Sequence, residues 1–342
     1  MRPRVVMFER RPFPHQHSIE QVFDVVRQHL PDRFEVVKVV ATRYSTGAGN
    51  RIRSILDAGR RQGDVNHIVG DVHFLALGLD PRRTVLTIHD AEFMERANTV
   101  KRWLYLWLWL RVPVRRSRIV VVPTQAVADD LRRYVRVPAA KLRVIPDPVS
   151  PVFAEAGSPP TSGREPSGAR VLVVGTRSNK NLERSIRALG GMPVTLPVTL
   201  VVLGPLDAAQ RDLLARTGVA FEEHVDVPLD RVVELYRTSD VLLFPSTKEG
   251  FGVPIVEAQA TGLPVVTSDL SPMREVAGEG ACLVDPLDVG SIRNGVHRVL
   301  EDLTYRRHLV EAGRRNVLRF AADSVAAAYA AVYDEVLAAT SR

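Results

Sequence analysis

The chain has 342 residues, 45% hydrophobic and 25% charged, which fits a globular protein of about two domains and excludes a disordered one. Its net charge is +7 and only five of its 46 basic residues are lysines; the excess favours anionic partners such as phosphates or lipid surfaces. A single cysteine, Cys282 in "GACLVDP", excludes a disulfide framework and a cysteine-based metal cluster, and reads as an inert buried thiol.

Strand-like runs open the chain: "RVVMF" (4–8), "EVVKVV" (35–40), "NHIVG" (66–70), "TVLTIH" (84–89), "IVVVPT" (119–124) and "LRVIP" (142–146). Helical patterns fall at 18–30, 50–62, 100–111 and 126–135. Near-continuous apolar strands alternating with helices predict a parallel sheet covered on both faces. The stretch 155–169 is rich in Pro, Gly and Ser, lacks periodicity and reads as a linker.

A second alternating series follows, with strands at 170–175, 198–204, 219–222, 240–245 and 264–268, and helices at 182–189, 208–216, 229–237 and 254–261. The tail, 325–342, repeats apolar residues at i, i+3 and i+4. The expected fold class is therefore α/β: two Rossmann-like, doubly wound domains, 1–154 and 170–324, facing each other across a cleft that is the default ligand site. The N-terminus has too short an apolar run for a signal peptide, and no stretch reaches the ~20 apolar residues of a spanning helix. The expected location is the cytoplasm.

"EGFGVPIVE" (249–257) is the most informative segment. Pro254 suits the first turn of a helix and Gly262 the position past its end. Gly250 and Gly252 clear side chains from the turn, where first-turn amides form an anion site. Glu249 and Glu257 flank that site, an arrangement that suits a ligand carrying hydroxyls as well as phosphates, because carboxylates accept strong hydrogen bonds from hydroxyls. A nucleoside-diphosphate sugar has this layout. In "VGTRSNKNLERSI" (174–186), Arg177 and Lys180 occupy a strand–loop–helix turn placed as a phosphate clamp, although two solvated surface cations would read the same way. No Asp-x-Asp occurs in the chain, so no metal and no other cofactor is expected. The chain has no RNP-type, zinc-finger or basic-zipper sequence, so nucleic acid is not an expected partner.

The segment "SDVLLFPSTKEGFGVPIVEAQATGLPVVTS", with "GTRSNKNL", "TIHD" (87–90) and "KLRVIPDPVSPVF" (141–153), resembles the E-x7-E retaining glycosyltransferases of family 4, the group 1 type, which have the GT-B fold. Within that family the chain looks like bacterial transferases of surface-polysaccharide pathways. The resemblance implies a metal-independent hexosyltransferase with a nucleotide-sugar donor and a glycan or lipid-linked glycan acceptor. It assigns Glu257 to the donor ribose, Glu249 to the transferred sugar, and the backbone around Gly250, Phe251, Gly252 and Val253, with Gly175, to the donor. It assigns Arg177 and Lys180 to the leaving diphosphate, has His89 reach across to the sugar, and returns the tail helix to the first domain. Two departures stand out. The loop after the first strand, "ERRPFPHQHS" (9–18), lacks glycine, and its Arg11, His15 and His17 are assigned to the acceptor. The clamp is about one residue shorter than the family's commoner form.

"KRWLYLWLWLRVPVRRSR" (101–118) holds all three tryptophans and six basic residues without an acid. It reads either as a helix covering the sheet or as a peripheral contact with an anionic membrane surface. A non-catalytic nucleotide-sugar binder and a sugar-nucleotide epimerase are the alternatives to the transferase.

Overall fold

The computed structural model describes residues 2–11, 18–45, 47–90, 103–104, 106–156, 168–193 and 197–340. Its chain forms two compact units, Met1–Pro148 with Ala322–Arg342, and Val149–Ala321. Each unit holds one six-stranded, wholly parallel sheet with helices between its strands.

In the first unit the strands β1 (Arg4–Glu9), β2 (Glu35–Val40), β3 (Val65–Ile68), β4 (Thr84–Thr87), β5 (Ile119–Val122) and β6 (Leu142–Val144) lie in the order β2-β1-β3-β4-β5-β6. Helices α1 (Ser18–His29), α2 (Ala48–Gly59) and α3 (Gln125–Tyr134) connect them. The strands β3, β4 and β5 are buried throughout, as expected of strands covered on both faces. Thr124 caps α3 by accepting from the Val127 amide.

The segment expected to be a helix over 100–111 is described at 103–104 and from 106 onward. There a π-helical turn, Leu106–Arg111, runs into a short α-helix, Val112–Arg115, so helical structure passes the expected end and includes Pro113. Pro113 follows directly on the π-helical turn and forgoes one intrahelical bond; the Trp109 carbonyl, four residues before it, lies 2.9 Å from His73 Nδ1 instead.

In the second unit β7 (Ala169–Val174), β8 (Val198–Leu203), β9 (Ala220–His224), β10 (Val241–Phe244), β11 (Val265–Ser268) and β12 (Ala281–Val284) take the order β12-β11-β10-β7-β8-β9. Helices α4 (Leu182–Gly190), α5 (Ala208–Thr217), α6 (Leu229–Thr238), α7 (Val253–Thr261), α8 (Val289–Glu301) and α9 (Leu303–Val317) cover its faces. Strand order reverses between β7 and β10, and in such sheets the crevice beyond the carboxyl ends of those two strands is where ligands bind. Cys282 on β12 is buried and free.

The tail helix α10 (Ala322–Thr340) belongs to the first unit and is fastened there by aromatic and ionic contacts. Tyr329 meets Phe23 of α1 edge-on at 5.7 Å, and Tyr333 meets Phe34 at 5.8 Å. The Tyr333 hydroxyl lies 2.8 Å from His67 Nδ1, while His67 Nε2 lies 2.8 Å from the Thr87 hydroxyl. Burial holds His67 down to about 3, so the ring is neutral. At the rim, Arg143 makes a two-pronged ion pair with Glu335, and Arg33 reaches Asp334 at 2.8 Å.

Candidate active site

The second unit gathers most of the sequence-derived residues at the switch point. β7 delivers Gly175, Arg177 and Lys180, and β10 delivers Glu249 and the glycine turn that opens α7. Backbone and side-chain hydrogen bonds join the two loops. The Thr247 amide donates to the Asn179 carbonyl at 2.8 Å, and Asn179 Nδ2 donates to the Lys248 carbonyl at 3.0 Å. Asn181, in the left-handed region at φ 60°, donates through Nδ2 to the carbonyls of Pro245 and Pro286, so one buried amide ties the clamp loop to two neighbouring loops. Asparagine is one of the few residues besides glycine that tolerates that backbone state.

Lys180 and Glu249 meet inside this frame. The ammonium lies 2.7 Å from Glu249 Oε1 and 4.6 Å from the centre of the Phe244 ring. Both side chains are largely buried. Gly175, at φ +85°, explains how the lysine stem fits: a Cβ there would stand 3.1 Å from Lys180 Cε and 3.2 Å from Cγ. The position thus leaves room for Lys180, a role not read from the sequence. Arg177 is exposed and makes no ion pair with the described residues.

Gly252, at φ 103°, enters α7, Pro254 follows within the first two helical positions, and Gly262 ends the helix at φ 74°. Of its first-turn positions, Pro254 carries no N–H and the Ile255 amide donates to the Gly252 carbonyl at 2.9 Å, which leaves the Val253 amide without an intrahelical carbonyl, at the positive end of the helix dipole. Phe251 turns its ring inward against Phe320 at 5.4 Å, so this residue offers only its backbone to a ligand.

Glu257, one turn into α7, accepts from the Tyr236 hydroxyl at 2.5 Å. Burial pushes its carboxyl up to about 7, while the Tyr236 hydrogen bond and the Lys180 charge pull it back. Part of its surface remains open, as for a group at the mouth of a pocket.

Two sequence-derived residues lie in the first unit. His89, beyond the end of β4, is buried, with Nε2 at 3.3 Å from the Val69 carbonyl oxygen and Nδ1 at 3.8 Å from Asp147 Oδ1. Burial raises the Asp147 carboxyl and the facing imidazole opposes that rise. Arg11 is exposed; it donates to the Thr42 carbonyl at 3.3 Å and stacks over the Tyr44 ring at 4.5 Å. His15, His17 and linker residues 157–167 lie outside the described residues. Tyr236, Phe244, Asn179, Asn181 and Asp147 were not singled out in the sequence, although all but Tyr236 stand inside quoted motifs.

A model of group 1 glycosyl transferases matches residues 160–316, and one of glycosyltransferase family 4 matches residues 3–153. The chain belongs to the group 1 type of family 4 glycosyltransferases. Among relatives of this glycosyltransferase, the MMP α-(1→4)-mannosyltransferase of Mycolicibacterium hassiacum is 28% identical over 71% of the chain and 60% of the relative. The O-antigen chain mannosyltransferase RfbU of Salmonella typhimurium is 25% identical over 64% of the chain and 61% of the relative. The chain thus spans about 60% of the length of these curated relatives. A crystal structure of Anabaena HepE with UDP and glucose superposes with a TM-score of 0.78 at 17% identity, over 97% of this chain and all of that one. WaaG, a glycosyltransferase of lipopolysaccharide biosynthesis, gives 0.69 at 17% identity over 96% and 99%. Both likenesses establish the GT-B fold.

Among the described residues no helix is long and apolar enough to cross a membrane, and no group of three or more His, Cys, Asp or Glu side chains is placed to hold a metal ion.

Proposed function

We propose that this glycosyltransferase is a retaining hexosyltransferase that moves a hexose from a nucleoside-diphosphate sugar to a glycan or lipid-linked glycan acceptor in bacterial surface-polysaccharide synthesis. The observation that carries the reading is the Lys180–Glu249 pair, 2.7 Å apart at the switch point, beside the N-terminus of α7. One cation, one carboxylate and the positive end of a helix opened by a glycine turn suit a ligand that is phosphate at one end and polyol at the other. The mannosyltransferase relatives and the UDP-bound neighbour support the same donor class.

In this reading Lys180 and Arg177 neutralise the diphosphate as the glycosidic bond stretches, without a metal. Fixed positive groups aimed at developing charge are worth most in such a site. Glu249 accepts from hydroxyls of the departing sugar, Glu257 holds the ribose hydroxyls, and His89 serves the transferred sugar. The acceptor hydroxyl forms the new bond on the leaving-group face, and its proton passes to the departing diphosphate oxygen. The first unit is assigned to the acceptor and the second to the donor.

The decisive experiment incubates the protein with uridine-, guanosine- and adenosine-diphosphate hexoses and a set of lipid-linked and free glycans, and measures nucleoside diphosphate release. Release from one donor, lost in Glu249→Ala, is the expected result. Tight donor binding with no release under any acceptor would make the protein a binder and overturn the reading.

An anionic membrane surface is the proposed site of the acceptor. Trp103, Leu104 and Trp107 are exposed, and the Arg111 guanidinium lies 5.2 Å from the Trp107 ring centre. Ile52 and Leu56, one turn apart on α2, are exposed as well, and Arg51 of that helix stacks on Trp109 at 4.5 Å. Aromatic rings with arginines beside them suit the headgroup layer. Flotation with anionic vesicles at low salt checks this, and complete indifference removes it.

A further inference from the structure

Glu257 has a single side-chain hydrogen-bond partner among the described residues, the hydroxyl of Tyr236 on α6. That tyrosine is fully buried, and its ring packs edge-on against Phe153 at 5.3 Å. The hydroxyl is therefore held in place from behind and reaches Glu257 Oε2 at 2.5 Å, the short separation of a charge-assisted bond. Oε1 is left uncommitted. A carboxylate that is to accept from neighbouring hydroxyls of a ligand must be both ionised and fixed in rotation, and the ordinary helical rotamers of a glutamate leave its last torsion broad.

Resting on the reading of Glu257 as the holder of the donor's ribose hydroxyls, we propose that Tyr236 is a positioning residue: its hydroxyl fixes one oxygen of Glu257 so that the other is presented to the donor's diol. The same bond favours the ionised carboxylate. Two groups act on Glu257 in that direction, the Tyr236 hydroxyl from α6 and the Lys180 ammonium from the loop after β7, and burial opposes them. Removing the hydroxyl therefore leaves a carboxylate that rotates more freely and protonates more readily.

The test is calorimetric binding of UDP, GDP and ADP by the full chain, repeated across the neutral range with whichever nucleotide binds. Tyr236→Phe keeps the ring and its packing and removes only the donor atom. It is expected to weaken binding roughly fivefold, the size of one ordinary hydrogen bond, and to move the acid limb of the affinity profile to higher pH. Glu257→Gln is expected to flatten that limb, and the double variant to be no weaker than Glu257→Gln alone. If Glu257→Gln loses affinity while Tyr236→Phe binds like the parent with an unmoved limb, the positioning role is wrong and the ribose reading survives. If Glu257→Gln binds like the parent, both are wrong.

Discussion

The Lys180 ammonium and the Glu249 carboxylate satisfy each other at 2.7 Å. A phosphate entering the turn must share or take over the cation, which releases Glu249 to accept from hydroxyls. Under the proposed function the pair would couple the two halves of a nucleotide-sugar donor, the diphosphate drawing on Lys180 and the sugar on Glu249.

Lys180→Ala is expected to lower kcat on the order of a hundredfold to a thousandfold, the usual loss when one fixed group facing developing negative charge is removed. Donor KM should move much less. A kcat within a few-fold of the parent would take Lys180 out of the chemistry.

Gly175→Ala reaches the same lysine indirectly. The substitution places a side chain at φ +85°, which costs about 1–2 kcal/mol, and crowds the Lys180 stem. Folding should persist, with turnover down roughly tenfold to a hundredfold as the cation is displaced. Circular dichroism and steady-state rates on one preparation check both halves; a fully active variant would show that the lysine has another path.

Glu257 makes stability depend on pH. Its folded carboxyl is pushed up to about 7 from an ordinary 4.5. The folded state keeps the proton that the unfolded chain has lost, so the contribution favours folding below the ordinary value and disappears as pH rises through about 7. Denaturant midpoints of the parent should fall relative to those of Glu257→Gln between about pH 5 and about pH 8. A flat difference would place the carboxyl in the normal range.

His67 joins the tail helix to the first sheet. Tyr333→Phe removes the partner of its Nδ1 and should destabilise the chain by about 1–3 kcal/mol, read as a lower urea midpoint. The ring stays neutral to about 3 when folded, against an ordinary 6.5, so its contribution is present above 6.5 and is lost as pH falls towards 3. An unchanged midpoint would mean that water replaces the hydroxyl without loss.

The strands were legible because parallel strands buried on both faces are unbroken apolar runs; "IVVV" and "VLLF" declare themselves without any partner. The entry to α7 was legible for a different reason. Gly252 and Gly262 occupy left-handed backbone states that few other residues accept, and Pro254 stands in a first helical turn, where a missing N–H is tolerated. Contacts between distant segments left no such mark. Tyr236 stands 21 positions before Glu257, and nothing in "ELYRTSDV" says which face of α6 meets α7. Asp147 stands between two prolines, and its approach to His89 depends on loops beyond β4 and β6 arriving together. Strand β12 and helices α8 and α9 were passed over; "ACLV" is short, and α9 carries four arginines.

The amide of Val149, the first residue of the second unit, donates to the carbonyl of Phe320, next to its last, at 2.9 Å. The stretch between them is in effect a cassette whose two ends are already clipped together, while α10 carries the chain back to where it started. A module closed in this way can be exchanged between related chains at those two junctions without opening either sheet, so the unit that carries Lys180, Glu249 and Glu257 can be replaced by recombination while the other unit keeps its own fold.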